Sequence, residues 1–450
     1  MLFERAESDR VFGESGTTSP GYMAVEESCL SPRRRRGPFP VRILYVLYGH
    51  RLDNRVQKEL AALRAAGHQT FALATSEPGK PSQEVVGGTR VYLRLPRPGG
   101  LKGFLRNLYF RVTFCRLPLE RELRRLIAEI RPDAIQVADL PGCRSVLDVA
   151  TPHGIPVVAD FHERYPDLVT EWRDMGGLQG IKNRILMGRS RWLEYEYEVL
   201  QRAEHVLCTS PAIRQLYVDM GIPAGKLHLV MNTVSLDYFD SVQGKPEVMA
   251  PVCGHFVVGY AGGLHPRRGV RVLIEAMSRV HREFPEARLV IVGGGPVEKA
   301  IRRRVREIGV NAITLFTGWQ PYSTLLACVK AFDVCVLAQE CTPHNKLVLS
   351  NKVFEYMAAG KPQVVSDCGE TARVVREAEA GLLCRPADPQ DLAERILELV
   401  RDPELRRRLG ANGRRAVEKN YDWARSAHEL CLAYDTQVVP SAKVNQVGCP

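Results

Sequence analysis

From Val41 onward, short apolar runs alternate with longer stretches whose apolar residues recur every three or four positions. The first run, 42–48, is apolar on both faces and so reads as a buried parallel strand. Asp53 then stands where a helix N-cap belongs, ahead of a helix over 54–66 that Gly67 closes. Further strands are expected at 69–75, 90–95, 134–137, 157–161, 205–209 and 227–231, with helices between them. Strand, helix and parallel strand in alternation make a doubly wound domain.

A second series of the same kind begins after a segment rich in Gly and Pro, SVQGKPEVMAP, which reads as a linker. Its strands are expected at 256–260, 288–292, 313–316, 334–337, 363–366 and 381–384. Helices are expected at 270–282, 297–308, 322–329, 389–401 and 404–419. The expected organisation is a disordered basic tail at 1–40, a first Rossmann-like domain at 41–240, and a linker at 241–251. A second Rossmann-like domain follows at 252–421, then a helix at 422–437 that is a candidate to pack back on the first domain, and a flexible tail at 438–450. In this architecture ligands bind where parallel strands end, in a cleft between two facing domains.

Composition narrows the partners. The net charge of +11 points to anionic ones, and arginine spread over most predicted helices, rather than gathered in one block, disfavours nucleic acid. Twelve scattered cysteines, with Cys208 and Cys335 inside apolar strands and no C-x-x-C pair, read as buried thiols of a reducing compartment, neither a disulfide frame nor a metal site. The N-terminus lacks the apolar core of a signal peptide, and no apolar run approaches the ~20 residues of a membrane span. The expected location is cytoplasmic, soluble or peripheral on a membrane.

Candidate chemistry sits at the predicted strand ends. In the stretch 345–377, Ser350 can cap a helix that ends at Gly360 and Pro362. Asn351 lies one turn before Glu355 on the same face. Glu355 reads either as a surface residue or as an acceptor for sugar hydroxyls beside N–H groups able to hold a diphosphate. The loop carrying Gly262, Gly263 and Arg268 lets backbone approach a ligand and adds a charge with bidentate reach for phosphate; a plain turn is the competing reading. Gly318 and Trp319 could pass a base along exposed backbone, unless Trp319 is a core residue. Lys352 reads equally as a ligand contact or a solvated residue. In the first domain, Asp160-Phe161-His162-Glu163-Arg164 ends an apolar strand, and His162 there is a structural histidine or a partner for a substrate hydroxyl or proton. Glu163 is a base or an ion-pair partner for Arg164. Residues 99–131 place Leu101, Phe104, Leu105, Leu108 and Tyr109 among Lys102, Arg106 and Arg111, and 181–192 repeats the theme. Either segment reads as a core-packed helix or as a basic amphipathic surface for anionic lipid.

Over about 41–434 the chain resembles the retaining glycosyltransferases of family 4, which have the GT-B fold of two facing Rossmann-like domains. The likeness is most specific in 259–269, 290–296, 315–318 and 351–362. NKVFEYMAAGKP, DFHERYPD and MNTVSLDYF are similar to the branch that makes extracellular polysaccharides and lipid-linked sugars. The resemblance implies that Glu355 binds the donor ribose and that Arg268 replaces a lysine on the donor diphosphate. It implies that Asn351 and Lys352 precede the glutamate as in that branch, and that His162 lies near the transferred sugar. The loop 366–372, with Gly369, Glu370 and Thr371, would offer N–H groups to sugar and phosphate. Three positions depart from the family pattern: Leu347 stands for an earlier glutamate, Gly263 for a basic residue and Arg373 for an acidic one. The implied reaction is front-face transfer with retention from a nucleotide-sugar donor to a saccharide or lipid-linked acceptor, with an anionic membrane surface as a candidate partner. No cofactor or metal is expected, since no D-x-D occurs beside these groups. The competing class is a catalytically silent GT-B protein that binds a membrane or another glycosyltransferase.

Overall fold

A computed structural model describes residues 40–48, 52–76, 81–95, 100–173, 188–244 and 246–435. The basic run Arg33–Arg36, the C-terminal tail and most of the second basic segment, including Lys182 and Arg184, lie outside the described residues. The chain forms two compact units, dividing after Met231 and again at Ser426.

The first unit is built on eight strands: β1 (Arg42–Val46), β2 (Gln69–Thr75), β3 (Gln83–Val86), β4 (Thr89–Leu95), β5 (Ala134–Ala138), β6 (Val157–Phe161), β7 (His205–Cys208) and β8 (Leu227–Leu229). Their order is β3-β4-β2-β1-β5-β6-β7-β8. Every pair is parallel except β3 with β4, a hairpin turned by Gly87 and Gly88, both at positive φ. The apolar pattern does not predict β3, because this edge strand buries no residue fully. The helix Asn54–Ala65 starts where expected, the Asp53 carboxylate accepting from the Val56 N–H at 2.9 Å. Its buried face carries Arg55 and Glu59 among Val56, Leu60 and Leu63, two ionisable side chains where the period calls for apolar residues.

The second unit holds β9 (Phe256–Ala261), β10 (Ala287–Val292), β11 (Thr314–Gly318), β12 (Val334–Leu337), β13 (Gln363–Ser366) and β14 (Gly381–Cys384), all parallel, in the order β11-β10-β9-β12-β13-β14. The strand order reverses at β9, with β10 and β11 added on one side and β12 to β14 on the other, so the crevice beyond the C-terminal ends of β9 and β12 is the switch point of this sheet.

The segment expected as a linker, 241–251, lies inside the second unit. Lys330 Nζ donates to the carbonyls of Phe239 and Val242, each at 2.7 Å, and Arg414 pairs with Asp240 at 2.7 Å. These bonds tie the segment down despite its Gly and Pro. The helix Trp423–Asp435 belongs to the first unit from Ser426 on, where the Tyr434 hydroxyl donates to Gln136 Oε1 at 2.6 Å.

Candidate functional site

In the second unit the loops after β9, β10 and β11 are bonded to one another through their backbones. The N–H of Gly262 donates to Val292 O at 2.8 Å, that of Leu264 to Gly294 O at 2.9 Å, and that of Gly293 to Gly318 O at 2.9 Å. Such close passage requires glycine. At Gly293, with φ +129°, a Cβ would lie 2.2 Å from the carbonyl oxygen of Gly262. At Gly262 it would lie 2.0 Å from Lys352 Cε, so the lysine side chain crosses bare backbone.

The helix Asn351–Ala358 aims its side chains at this surface. Tyr356 accepts the Ala261 N–H on its hydroxyl at 3.1 Å, fixing the helix to the end of β9. One turn earlier on the same face is Lys352. Glu355 is 4% exposed, and its Oε1 accepts from the Tyr322 hydroxyl at 3.1 Å. Tyr322 stacks on Tyr238, ring centroids 5.9 Å apart. Burial first, then the Glu355 charge, pushes the Tyr322 phenol well above its ordinary range, so the hydroxyl remains a donor. Glu355 is neither solvated nor set in a purely aliphatic pocket. Gly360, at φ +63°, ends the helix as its sequence predicts.

Several expectations change in detail. Ser350 occupies the N-cap position but makes no capping bond; its own N–H donates to the Thr371 hydroxyl at 3.2 Å. Thr371 is the acceptor of that bond, and the Glu370 carboxylate is held by Arg373 at 2.9 Å. Gly369 (φ +58°) packs so closely on the carbonyl of Lys346 that a Cβ would sit 2.2 Å from it. Trp319 is 50% exposed and is not a core residue. Arg268 and Gly263 are half-buried in the loop that leads into the helix Val270–Glu283. Cys341 and Cys368 form a disulfide, Cα atoms 5.6 Å apart, joining the loop after β12 to the residue before the helix Gly369–Glu377. This corrects the expectation of thiols throughout. The two cysteines are 27 residues apart in sequence, and nothing local marks the pair. The other described cysteines are free.

In the first unit His162 follows β6, its side chain 15% exposed. Its Nε2 lies 2.9 Å from Asp160 Oδ2. Asp139, itself at φ +60°, accepts the backbone N–H groups of His162 and Glu163 at 3.0 and 3.3 Å. Burial opposes a charge on His162, but the carboxylates of Asp160 and Asp139 outweigh it and raise the imidazole to about 10. Arg164 pairs with Asp167 at 2.5 Å and Glu196 at 2.9 Å, both buried, so Glu163 is not its ion-pair partner. Beneath His162, Asp160 also meets Tyr45, Arg55 and Gln136. Sequence reasoning missed this cluster, although Arg55 and Glu59 on an apolar helix face were a signal for it.

On the same unit the helix Gly100–Thr113 leaves Phe104, Leu105, Leu108, Tyr109 and Val112 between 40 and 57% exposed, while Phe110 is buried. Leu105, Tyr109 and Leu117 line a cavity with Tyr48, Arg106 and Arg116, the Arg116 guanidinium lying 3.9 Å over the Tyr48 ring. Among the described residues no helix is long and apolar enough to cross a membrane.

Two family models match the chain: Glycosyl transferase 4-like domain over residues 52–233, and Glycosyl transferases group 1 over residues 255–402. The glycogen synthase of Mycobacterium tuberculosis is 24% identical over 394 residues, 85% of this chain and 90% of the relative. A phosphatidyl-myo-inositol mannosyltransferase of Mycobacterium leprae is 31% identical over 207 residues, 46% of this chain and 53% of the relative. Anabaena HepE, solved in complex with UDP and glucose, shares the fold with a TM-score of 0.66 at 14% identity, covering 88% of this chain and 100% of that one. With two doubly wound units, each matched by a glycosyltransferase model, the chain belongs to the group 1 glycosyl transferases and has the GT-B fold.

Proposed function

We propose that this glycosyltransferase is a retaining hexosyltransferase that takes its sugar from a nucleotide-sugar donor bound by the second unit. The observation that carries the reading is Glu355, buried yet held by a tyrosine hydroxyl, beside Lys352 lying across bare glycine backbone at the switch point of the sheet. A carboxylate fixed in this way suits the two hydroxyls of a ribose. Arg268, Lys352 and the N–H groups at the start of the helix Gly369–Glu377 suit a diphosphate. HepE, with the same fold, was solved with UDP and glucose, which supports a donor of this class.

In the proposed reaction the bond from the anomeric carbon to the donor phosphate breaks, and a bond to the acceptor oxygen forms on the same face. The acceptor proton passes to the departing phosphate oxygen. Protein groups contribute position and positive charge on the leaving group, and no metal is needed. The acceptor is a saccharide or a lipid-linked sugar. A lipid-linked one accords with the exposed apolar face of the helix Gly100–Thr113, which with Lys102 and Arg106 suits an anionic membrane surface.

A panel of nucleotide sugars, read by nucleotide release and by the anomeric configuration of the product, tests the proposal. One donor should turn over, with retention and without inhibition by EDTA. Glu355→Ala should raise the donor KM roughly 10- to 100-fold, the value of about 1.5–3 kcal/mol for hydrogen bonds to a charged group. No release from any donor, or an inverted product, would overturn it.

A further inference from the structure

Under His162 runs a buried ladder of polar groups that the proposed reaction does not use. Tyr45 on β1, Gln136 on β5 and Asp160 on β6 lie on one face of the sheet, and Arg55 and Glu59 of the helix Asn54–Ala65 pack onto them. Metal-ligand atoms of Glu59, Asp160 and His162 come within 4.8 Å of one another, the spacing of a cation site. A cation is already there: Arg55 Nε lies 2.9 Å from Glu59 Oε1, and its terminal nitrogen 2.9 Å from Asp160 Oδ1.

Counting protons decides the rest. The Tyr45 hydroxyl has one proton, and its oxygen lies 2.6 Å from Asp160 Oδ2 and 3.0 Å from Glu59 Oε2. The shorter contact takes that proton, so the longer one is a hydrogen bond only if Glu59 donates it. Gln136 cannot supply more. Its Oε1 accepts from Tyr434, and its two amide hydrogens go to Glu59 at 2.9 Å and Asp160 at 3.1 Å. Charge counting is consistent with this: once His162 carries its second proton, Asp160 and Asp139 balance Arg55 and His162, and an ionised Glu59 would then leave a buried excess of one negative charge. The remaining titratable neighbours, Tyr45, Tyr434, Cys143 and Cys208, are pushed up by burial and stay neutral.

Resting on the glycosyltransferase reading above, we propose that Glu59 is a buried neutral acid whose proton completes a chain from Glu59 through Tyr45 and Asp160 to His162. The chain fixes His162 as an imidazolium that donates to a substrate oxygen and does not act as a base. Glu59 and Asp160 are positioning residues, since neither reaches the surface. With Nε2 held by Asp160, Nδ1 is the nitrogen left to donate. Burial, then the Asp160 charge, raises Glu59 to about 8, in keeping with a proton held at neutral pH.

The test is NMR of the full-length protein labelled in its histidine rings, with His162 assigned by its loss in His162→Gln. From about pH 5.5 to 8.5, His162 should remain an imidazolium in the wild type. In Glu59→Gln, which keeps the shape of a neutral acid, it should stay so, while the infrared carbonyl band of a buried protonated carboxyl disappears. In Asp160→Asn its midpoint should fall into that window, and kcat/KM should fall as pH rises through the new midpoint. A wild-type midpoint near the ordinary 6.5 would overturn the proposal, as would an infrared spectrum unchanged in Glu59→Gln. Both readouts stand if Asp160→Asn fails to fold. Absence of turnover with every donor would sink the glycosyltransferase mechanism instead and leave the ring titration intact.

Discussion

The two units put polar chemistry at their strand ends by opposite means. At the end of β6 the first unit concentrates side chains, and each charge there is answered by another inside the protein: Asp160 by Arg55 and His162, Arg164 by Asp167 and Glu196. At the ends of β9, β10 and β11, and again after β13, the second unit places Gly262, Gly293, Gly318 and Gly369, all at positive φ, and exposes main chain. The first arrangement is vulnerable to losing an atom, because a buried charge left alone is costly. The second is vulnerable to gaining one, because at Gly262, Gly293 and Gly369 an added Cβ would lie 2.0, 2.2 and 2.2 Å from a neighbouring atom.

The largest effect should follow from Asp160→Ala. Removing this carboxylate strands Arg55 and His162, and breaking buried pairs of this kind costs about 3–5 kcal/mol. Chemical denaturation should report that loss, whereas Glu355→Ala should cost much less stability despite its effect on the donor. Equal losses would erase the contrast between the units. The pH dependence has a defined sign. Burial alone would raise Asp160, but Arg55 and His162 hold it well below the carboxylate range. Its stabilisation is therefore present above the ordinary value of 3.8 and lost as pH falls through the lower folded value. His162, raised to about 10, contributes stability that is complete below 6.5 and lost as pH rises through about 10. Asp160→Ala should flatten both limbs.

Next in size is the Cys341–Cys368 bond, which closes a loop of 27 residues in the second unit only. Chain entropy assigns such a loop about 3.5 kcal/mol. Comparing unfolding with and without reductant, with Cys341→Ser as the control, should show the loss in the second unit, seen as faster proteolysis there. Equal stability in both conditions would count against the bond.

What could be read in advance follows from the range of each interaction. The strands from β9 to β14 and the helix stop at Gly360 were legible because they depend on residues within a few positions of each other. The buried location of Glu355 and its tyrosine partner were not, since Tyr322 lies 33 residues away. The 241–251 segment has the composition of a linker, and only Lys330 and Arg414, distant in sequence, make it part of the second unit. His162 was legible as polar at a strand end. The ladder beneath it needed Arg55 and Glu59 to be read as a buried pair, against the usual rule that charges at such spacing face water.

A smaller loss should come from Gly369→Ala. The added Cβ would press on the carbonyl of Lys346 at a φ of +58°, and strain of this type costs about 1–3 kcal/mol. Because the helix start must shift to relieve it, the donor KM should rise along with the loss of stability. A variant as stable and as active as the wild type would show that the loop adapts freely, and the close-passage account of the second unit would fail.

The smallest effect, and the sharpest, belongs to Tyr322→Phe. The ring and its stacking on Tyr238 survive, and the hydroxyl given to Glu355 is lost. A single hydrogen bond to a charged group is worth about 1.5 kcal/mol net at the low end, so thermal stability should fall only slightly. The carboxylate should then be held less firmly, raising the donor KM a few-fold at constant kcat, as expected for binding lost equally in ground and transition states. A fall in kcat with KM unchanged would mean that Glu355 acts on the reacting centre, which would move the chemistry of the second unit from its backbone to a side chain and undo the contrast with the first.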